Sequence, residues 1–350
     1  MNRPLTIKNI TIKNRFAIPP MVCFQWPDED GFVTEKNIAH YRDLAKGGAG
    51  LIIVEATAIT KRAKLHESEL GIWEDGHIAG LKKITDEIHA YGAKAFIQLV
   101  HAGGNGIDME ADAPSTMPYS DGIRGIEMSR DRIEEVKNDF VRAAVRAKAA
   151  GFDGVEIHGC HSYLISCFCS SITNVRTDEY GKDRSLFARE VLQAVRSACG
   201  EDYIVGIRLA AFEPTLEDGI RNVVALSPYT DFLDISYGVR CEPCKPEGFP
   251  CSAAVYGAKC IKERLPEMPV FGVYHINSKE DVENALNTGI DMADIGRAAL
   301  VDPAFPNHVL NNEPAGACLH CDHYCRWNHD NMRRSDLQCP GAVKFHRSAK

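Results

Sequence analysis

The sequence predicts an α/β protein: a (β/α)8 TIM barrel with an N-terminal hairpin and a C-terminal cysteine-rich tail. Three observations lead there. Eight short apolar runs alternate with amphipathic helical patterns, and parallel strands need such crossovers. Gly92, Gly151, Gly200 and Gly289 each follow a helical pattern, at the position where a left-handed backbone favours glycine. Titratable side chains gather just past several apolar runs, the end at which such barrels do chemistry.

In chain order, Leu5–Asn14 reads as a hairpin plugging the N-terminal mouth of the barrel. The expected strands are Phe16–Pro19, Leu51–Glu55, Lys94–Leu99, Gly154–His158, Tyr203–Leu209, Phe232–Ser236, Val270–Val273 and Met292–Ile295. Between them the clearest helical patterns are Glu35–Lys46, Gly76–Tyr91, Arg132–Ala150, Ser185–Cys199 and Lys279–Thr288. The last two start at or just after a serine, a natural N-cap. The pattern near Glu217–Leu226, after strand five, is the faintest. Residues 1–316 are expected to form the barrel and 317–350 the tail.

Composition excludes several classes. The chain of 350 residues carries a formal charge of −8, which argues against a nucleic-acid partner. No apolar run reaches the roughly 18 residues of a membrane helix, and the N-terminus shows no apolar signal segment. A cytoplasmic protein is therefore expected. Its 13 unevenly spread cysteines then suggest free thiols and metal ligands rather than disulfides.

The most informative stretch runs from Gly154 to Asp183. It places His158, His161 and Tyr163 just past a strand, followed by Thr173, Asn174, Val175, Arg176, Thr177, Asp178, Glu179, Tyr180 and Gly181. This resembles the fourth strand and following loop of the Old Yellow Enzyme family of flavin-dependent ene-reductases, where H-x-x-[HN]-x-Tyr precedes T-N-x-R-T-D-E-Y-G. The resemblance implies FMN. It assigns Pro20, Met21 and Val22 to the flavin-packing motif after strand one. Val22 departs from that pattern, because valine cannot hydrogen-bond the flavin, and Cys23 falls one residue later. Ala56 would lie under the ring, and Gln98, in Gln98-Leu99-Val100-His101-Ala102-Gly103, would meet the pyrimidine edge. His101 reads equally as a core histidine, and Cys23 as a buried one. Arg208 would lie against the flavin N1–O2 region and stabilise the anionic reduced flavin. Gly296 and Arg297 would hold the phosphate together with Tyr274 and His275, where Tyr274 replaces the family's glycine.

On that resemblance His158 and His161 polarise a substrate carbonyl and Tyr163 supplies the proton. A metal pair is the rival reading of the histidines, set aside for want of a visible third ligand. A packed polar trio is the other. In the tail, Cys318, Cys321, Cys325 and Cys339 have metal-ligand spacing that suits zinc or an iron–sulfur cluster. The 2,4-dienoyl-CoA reductase and trimethylamine dehydrogenase branch carries such a tail around [4Fe–4S], which that resemblance implies here. That branch continues into an FAD and NAD(P)H half. This chain stops at Lys350 with no G-x-G-x-x-G after a strand, so the second half is expected to be lacking. Cys241, Cys244 and Cys251 have looser spacing and read as an ordinary loop. The expected function is reduction of a C=C bond conjugated to a carbonyl, with NAD(P)H as a possible reductant, an electron-donor protein as a possible partner, and a homo-oligomer as the assembly. The alternatives are an FMN/Fe–S electron-transfer subunit of a larger complex and an amine-type flavin dehydrogenase.

Overall fold

Eight parallel strands close into a barrel in sequential order: Phe16–Ile18, Leu51–Ala58, Lys94–Val100, Gly154–Gly159, Ile204–Ala210, Leu233–Ser236, Val270–Val273 and Met292–Asp294. The structure is a computed structural model and describes residues 1–108, 110–118, 124–239, 241–321, 325–327 and 338–348. Strands two, four and five are buried along their whole length, as expected of parallel strands covered on both faces. This is the predicted TIM barrel, with strand ends that coincide with the expected ones or differ by at most three residues.

The helices follow the sequence pattern closely. Glu35–Lys46 matches its prediction, and His77–Ala90, Arg130–Ala149, Leu186–Cys199, Leu216–Leu226 and Lys279–Asn287 lie within two residues of theirs. Ser278 caps its helix by accepting from the Asp281 amide. Ser185 makes no cap bond; its hydroxyl donates to Asp183 Oδ1 at 2.6 Å instead. Gly92, Gly151, Gly200 and Gly289 all have positive φ, between 68° and 98°.

At the N-terminal end, strands Leu5–Ile7 and Ile10–Ile12 pair antiparallel as the predicted hairpin. Leu5, Ile7 and Ile12 pack against Phe96, Phe232, Phe271 and Met292 inside the barrel, forming its floor. Phe232 stacks between Phe96 and Phe271, with ring centroids 5.3 and 4.9 Å away. Side chains two residues on from three of these floor positions, Gln98, Asp234 and Asp294, are polar, so an apolar floor gives way to a polar layer below the mouth.

Two features escaped the sequence reading. A small sheet of Glu110–Ala113, Met117–Pro118 and Arg124–Glu127 is inserted after strand three. Short polar strands carry little periodicity. The helix Ala253–Arg264, capped by Ser252, covers strands six and seven. Of the tail, residues 322–324, 328–337 and 349–350 lie outside the described residues. Pro340–Ser348 is helical, and its Phe345 packs near His308 at 5.7 Å.

Candidate active site

The C-terminal ends of the strands surround a cavity of about 350 Å³, bordered by Pro19, Pro20, Met21, His161, Arg208, Ser236, Asp294, Gly296, Arg297 and the Val273–Asn277 segment. The predicted residues Pro20, Met21, His161, Arg208, Tyr274, His275, Gly296 and Arg297 are thus brought to one place. Val22 and Cys23 do not line it. Cys23 is buried: its amide donates to Glu55 Oε2 at 2.7 Å, and burial pushes its thiol pKa well up. Ala56 is buried near the end of strand two.

Strand four ends by placing His158 and His161 edge to face, with centroids 5.3 Å apart and Tyr163 4.8 Å from His158. The chain can return so quickly because His161 and Ser162 both adopt left-handed backbone, φ 62° and 60°. Burial, then the neighbouring His161 and Arg208 charges, push the His158 pKa well below its ordinary value; burial, then Arg208, bring His161 to about 3. Both imidazoles are therefore neutral at pH 7, each with one N–H to donate. Ser236 Oγ, from strand six, lies 3.0 Å from His161 Nε2. Burial and then the Glu69 carboxyl push the Tyr163 phenol pKa upward, so it holds its proton. The loop motif that follows is structural. Asn174 Nδ2 donates to the carbonyls of Phe168 and Tyr180 at 2.8 and 2.7 Å, and Arg176 grips the carbonyls of Pro114 and Met128.

Beneath the cavity lies a layer absent from the sequence reading. Gln98 Nε2 donates to Glu156 Oε1 at 2.7 Å, so the amide nitrogen faces a carboxyl group of the protein. Arg208 Nε is 3.2 Å from Asp234 Oδ2, and Asp294 stands on the far side of Asp234. Glu156 Oε2 and both oxygens of Asp234 and Asp294 make no well-formed hydrogen bond among the described residues, although all three residues are essentially inaccessible. Burial and mutual repulsion push the Glu156 and Asp294 pKa values well up, while Arg208 partly offsets the effect of burial at Asp234. Burial raises Asp234 as well, and Asp234, the carboxyl in contact with Arg208, is the one whose charge that guanidinium favours most directly. The Arg208 cation is thus compensated by the protein before any ligand arrives. The signal was present: Glu156, Asp234 and Asp294 each interrupt an apolar run, where a charge is costly.

His101 is a structural residue. Its Nδ1 accepts from the Gly103 amide at 3.1 Å, and its Nε2 lies 3.2 Å from Asp112, which Arg132 also holds. Against the upward push of burial, hydrogen bonds from His101 and Arg132 keep the Asp112 carboxyl below its usual range.

At the ends of strands seven and eight, Tyr274 and His275 have φ of 94° and 58°. The backbone keeps a turn that favours glycine although the sequence supplies a tyrosine. The Tyr274 ring lies against Arg297 and Tyr237, at 5.6 and 4.6 Å. A Cβ on Gly296 would meet only Met21 Sδ at 3.5 Å and Pro19 Cγ at 3.7 Å, so protein packing does not demand glycine there; the open side is the cavity. A flat ring with a phosphate tail fits this arrangement: open backbone at Gly296, a guanidinium on Arg297, and apolar Pro20 and Met21 alongside.

The tail lies against this end of the barrel. His320 stacks on His275 at 5.3 Å and accepts from Arg297 at 3.0 Å, while Trp327 packs near Trp26 at 5.8 Å. The His320 amide donates to Cys318 Sγ at 3.5 Å. Cys318, Cys321, Cys325 and Cys339 are all half-buried. Among the described residues they do not converge as ligands. The one group of three or more His, Cys, Asp or Glu donors within 4.8 Å of one another is His158, Cys160 and His161. Cys160 sits between the two histidines in sequence and was passed over. Cys251 borders a neighbouring cavity of about 600 Å³ with Lys245 and Tyr274, and Cys241 Sγ donates to the Gly238 carbonyl.

Residues 1–315 match the NADH:flavin oxidoreductase / NADH oxidase family. The chain belongs to that family. FMN is accordingly the cofactor that membership supports, and the chemistry is that of a flavin oxidoreductase. Among solved structures, 2-naphthoyl-CoA reductase is 27% identical with a TM-score of 0.83, covering 95% of this chain and 57% of that one. Histamine dehydrogenase from Rhizobium sp. 4-9 is 29% identical with a TM-score of 0.77, covering 89% and 48%. The Old Yellow Enzyme homologue from Zymomonas mobilis is 25% identical with a TM-score of 0.76, covering 91% and 94%. The chain thus spans about half the length of the first two. No helix among the described residues is long and apolar enough to cross a membrane.

Proposed function

We propose that this flavin oxidoreductase reduces a C=C bond conjugated to a carbonyl. The observation that carries the reading is the cluster of neutral His158, neutral His161 and protonated Tyr163, of which His161 borders the cavity at the strand ends. FMN, when bound, would supply the hydride. Pro20, Met21 and Ala56 would pack along it, Gln98 and Arg208 would meet its polar edge, and Gly296, Arg297, Tyr274 and His275 would receive its phosphate. His158 and His161 donate N–H bonds to the substrate carbonyl oxygen and stabilise the negative charge that grows there. Tyr163 delivers its phenolic proton to the alkene carbon, and solvent returns it.

Similarity to 2-naphthoyl-CoA reductase supports a conjugated thioester as one form of that carbonyl. The second reading, oxidation of an amine, is favoured by the 29% identity to histamine dehydrogenase. It gives no role to two neutral donors set to hold an oxygen. For the tail, we assign Cys318, Cys321, Cys325 and Cys339 to a [4Fe–4S] cluster over zinc on their position beside a flavin barrel; the thiols do not converge among the described residues, so binding would have to draw them together.

The test is direct. Purified protein should be yellow and release FMN on denaturation. Once reduced with dithionite, it should convert a cyclic enone to the saturated ketone, and in its oxidised form its flavin should not be reduced by histamine. Protein prepared anaerobically should contain about four irons and four sulfides per chain. A protein that holds FMN yet leaves every enone intact would favour the electron-transfer reading.

A further inference from the structure

A metal site at His158 and His161 lacked only a third ligand in the sequence, and the fold supplies one. The chain turns after Gly159 into the left-handed pair His161 and Ser162, which keeps Cys160 beside the histidines. Cys160 Sγ lies 3.7 Å from His158 Nδ1, and one donor atom from each of the three residues falls within 4.8 Å of the others. Tetrahedral zinc, with bonds of about 2.0–2.3 Å, sets its ligand atoms roughly 3.3–3.8 Å apart, so the Cys160–His158 pair already has that spacing. The His161 donor lies within 4.8 Å of the other two, and the Ser236 hydroxyl 3.0 Å from its Nε2 steadies the ring. Two imidazoles and one thiol, with no carboxylate among the donors, select a thiophilic borderline ion and reject Mg²⁺ or Ca²⁺. His158 and Cys160 are buried while His161 borders the cavity, which leaves the fourth position open toward it.

We propose that His158, Cys160 and His161 form a Zn²⁺ site at the mouth of the barrel, with the fourth coordination position open to the cavity. On binding, the Cys160 S–H bond gives its proton to solvent and an S–Zn bond forms; nothing is oxidised or reduced. Zinc held there fills the space that the proposed function gives to a substrate carbonyl, and a ring nitrogen bound to zinc cannot carry the N–H that would donate to that oxygen. The filled site therefore blocks alkene reduction. Only this blocking role rests on the proposed function; zinc binding does not.

The full chain, stripped with EDTA, is incubated with ZnCl2, passed through gel filtration, and its zinc measured by mass spectrometry. Wild type should retain about one equivalent more than Cys160→Ala, and the same excess over His161→Ala. Tail thiols are present in all three proteins and cancel in the difference. Circular dichroism verifies the fold, and Cys160→Ser replaces Cys160→Ala should that variant not fold. Equal zinc in wild type and the variants overturns the site. Retention of the extra equivalent with alkene reduction unimpaired overturns the blocking role alone.

Discussion

Four buried ionisable groups at the barrel's working end, Glu55, Arg208, Asp234 and Asp294, behave differently and give three predictions. Glu55 accepts from the Cys23 amide, the Tyr41 hydroxyl and Asn37 Nδ2, yet burial outweighs these bonds and raises its pKa from 4.5 to about 7. The unfolded carboxyl ionises first as pH rises. The stability contributed by the retained proton is therefore full below about pH 4.5 and lost between there and pH 7. Glu55→Gln should lose stability at low pH and regain ground across that window by a few kcal/mol, on the order of 1.4 per pKa unit. Urea titrations at pH 5 and pH 8 check this; a difference independent of pH would mean that Glu55 is ionised throughout. Arg208 and Asp234 form the compensated pair. Arg208→Met should cost about 3–5 kcal/mol by leaving a buried charge alone, and adding Asp234→Asn should restore much of it. Asp294→Asn, which replaces a group that already holds its proton, should stay within about 1 kcal/mol of wild type at pH 7. A large loss there would show that Asp294 carries the charge.

At the scale of elements, the strand-seven loop shows what a sequence pattern can hide. Tyr274 stands at φ 94° where glycine is at ease, held by its contacts to Arg297 and Tyr237. Truncation to alanine loses those contacts and keeps the strain; truncation to glycine relieves it. Tyr274→Gly should therefore be more stable than Tyr274→Ala by about 1 kcal/mol in denaturant titrations. Equal stability would mean the loop relaxes on its own. The sequence announced a departure at Tyr274 but not whether the backbone or the ring would yield. The same limit applies elsewhere. The barrel strands and long helices were legible because burial on both faces writes continuous apolar runs and 3.6-residue periodicity. The Glu110–Glu127 sheet was not, since strands of two to four residues leave no period to read. Ser185 had the residue type of a cap, but Asp183 competes for its hydroxyl.

Across the whole molecule, the floor of aromatic rings, the carboxyl layer and the histidine–tyrosine rim stack along one axis, and the tail closes over the same end. The position of His158, His161 and Tyr163 could be read from a single strand terminus. Ser236 and the Asp234–Asp294 pair could not, because they meet the strand-four residues only when strands four to eight close into the barrel. The central claim is that this rim divides its labour, with two imidazoles holding the carbonyl and one phenol giving the proton. Anaerobic stopped-flow spectroscopy on Tyr163→Phe, following flavin absorbance, tests it most directly. Reoxidation by a cyclic enone should slow by about 10²–10⁴-fold while reduction by NAD(P)H stays near the wild-type rate. Equal, mild slowing of both half-reactions would contradict the claim and make Tyr163 a packing residue.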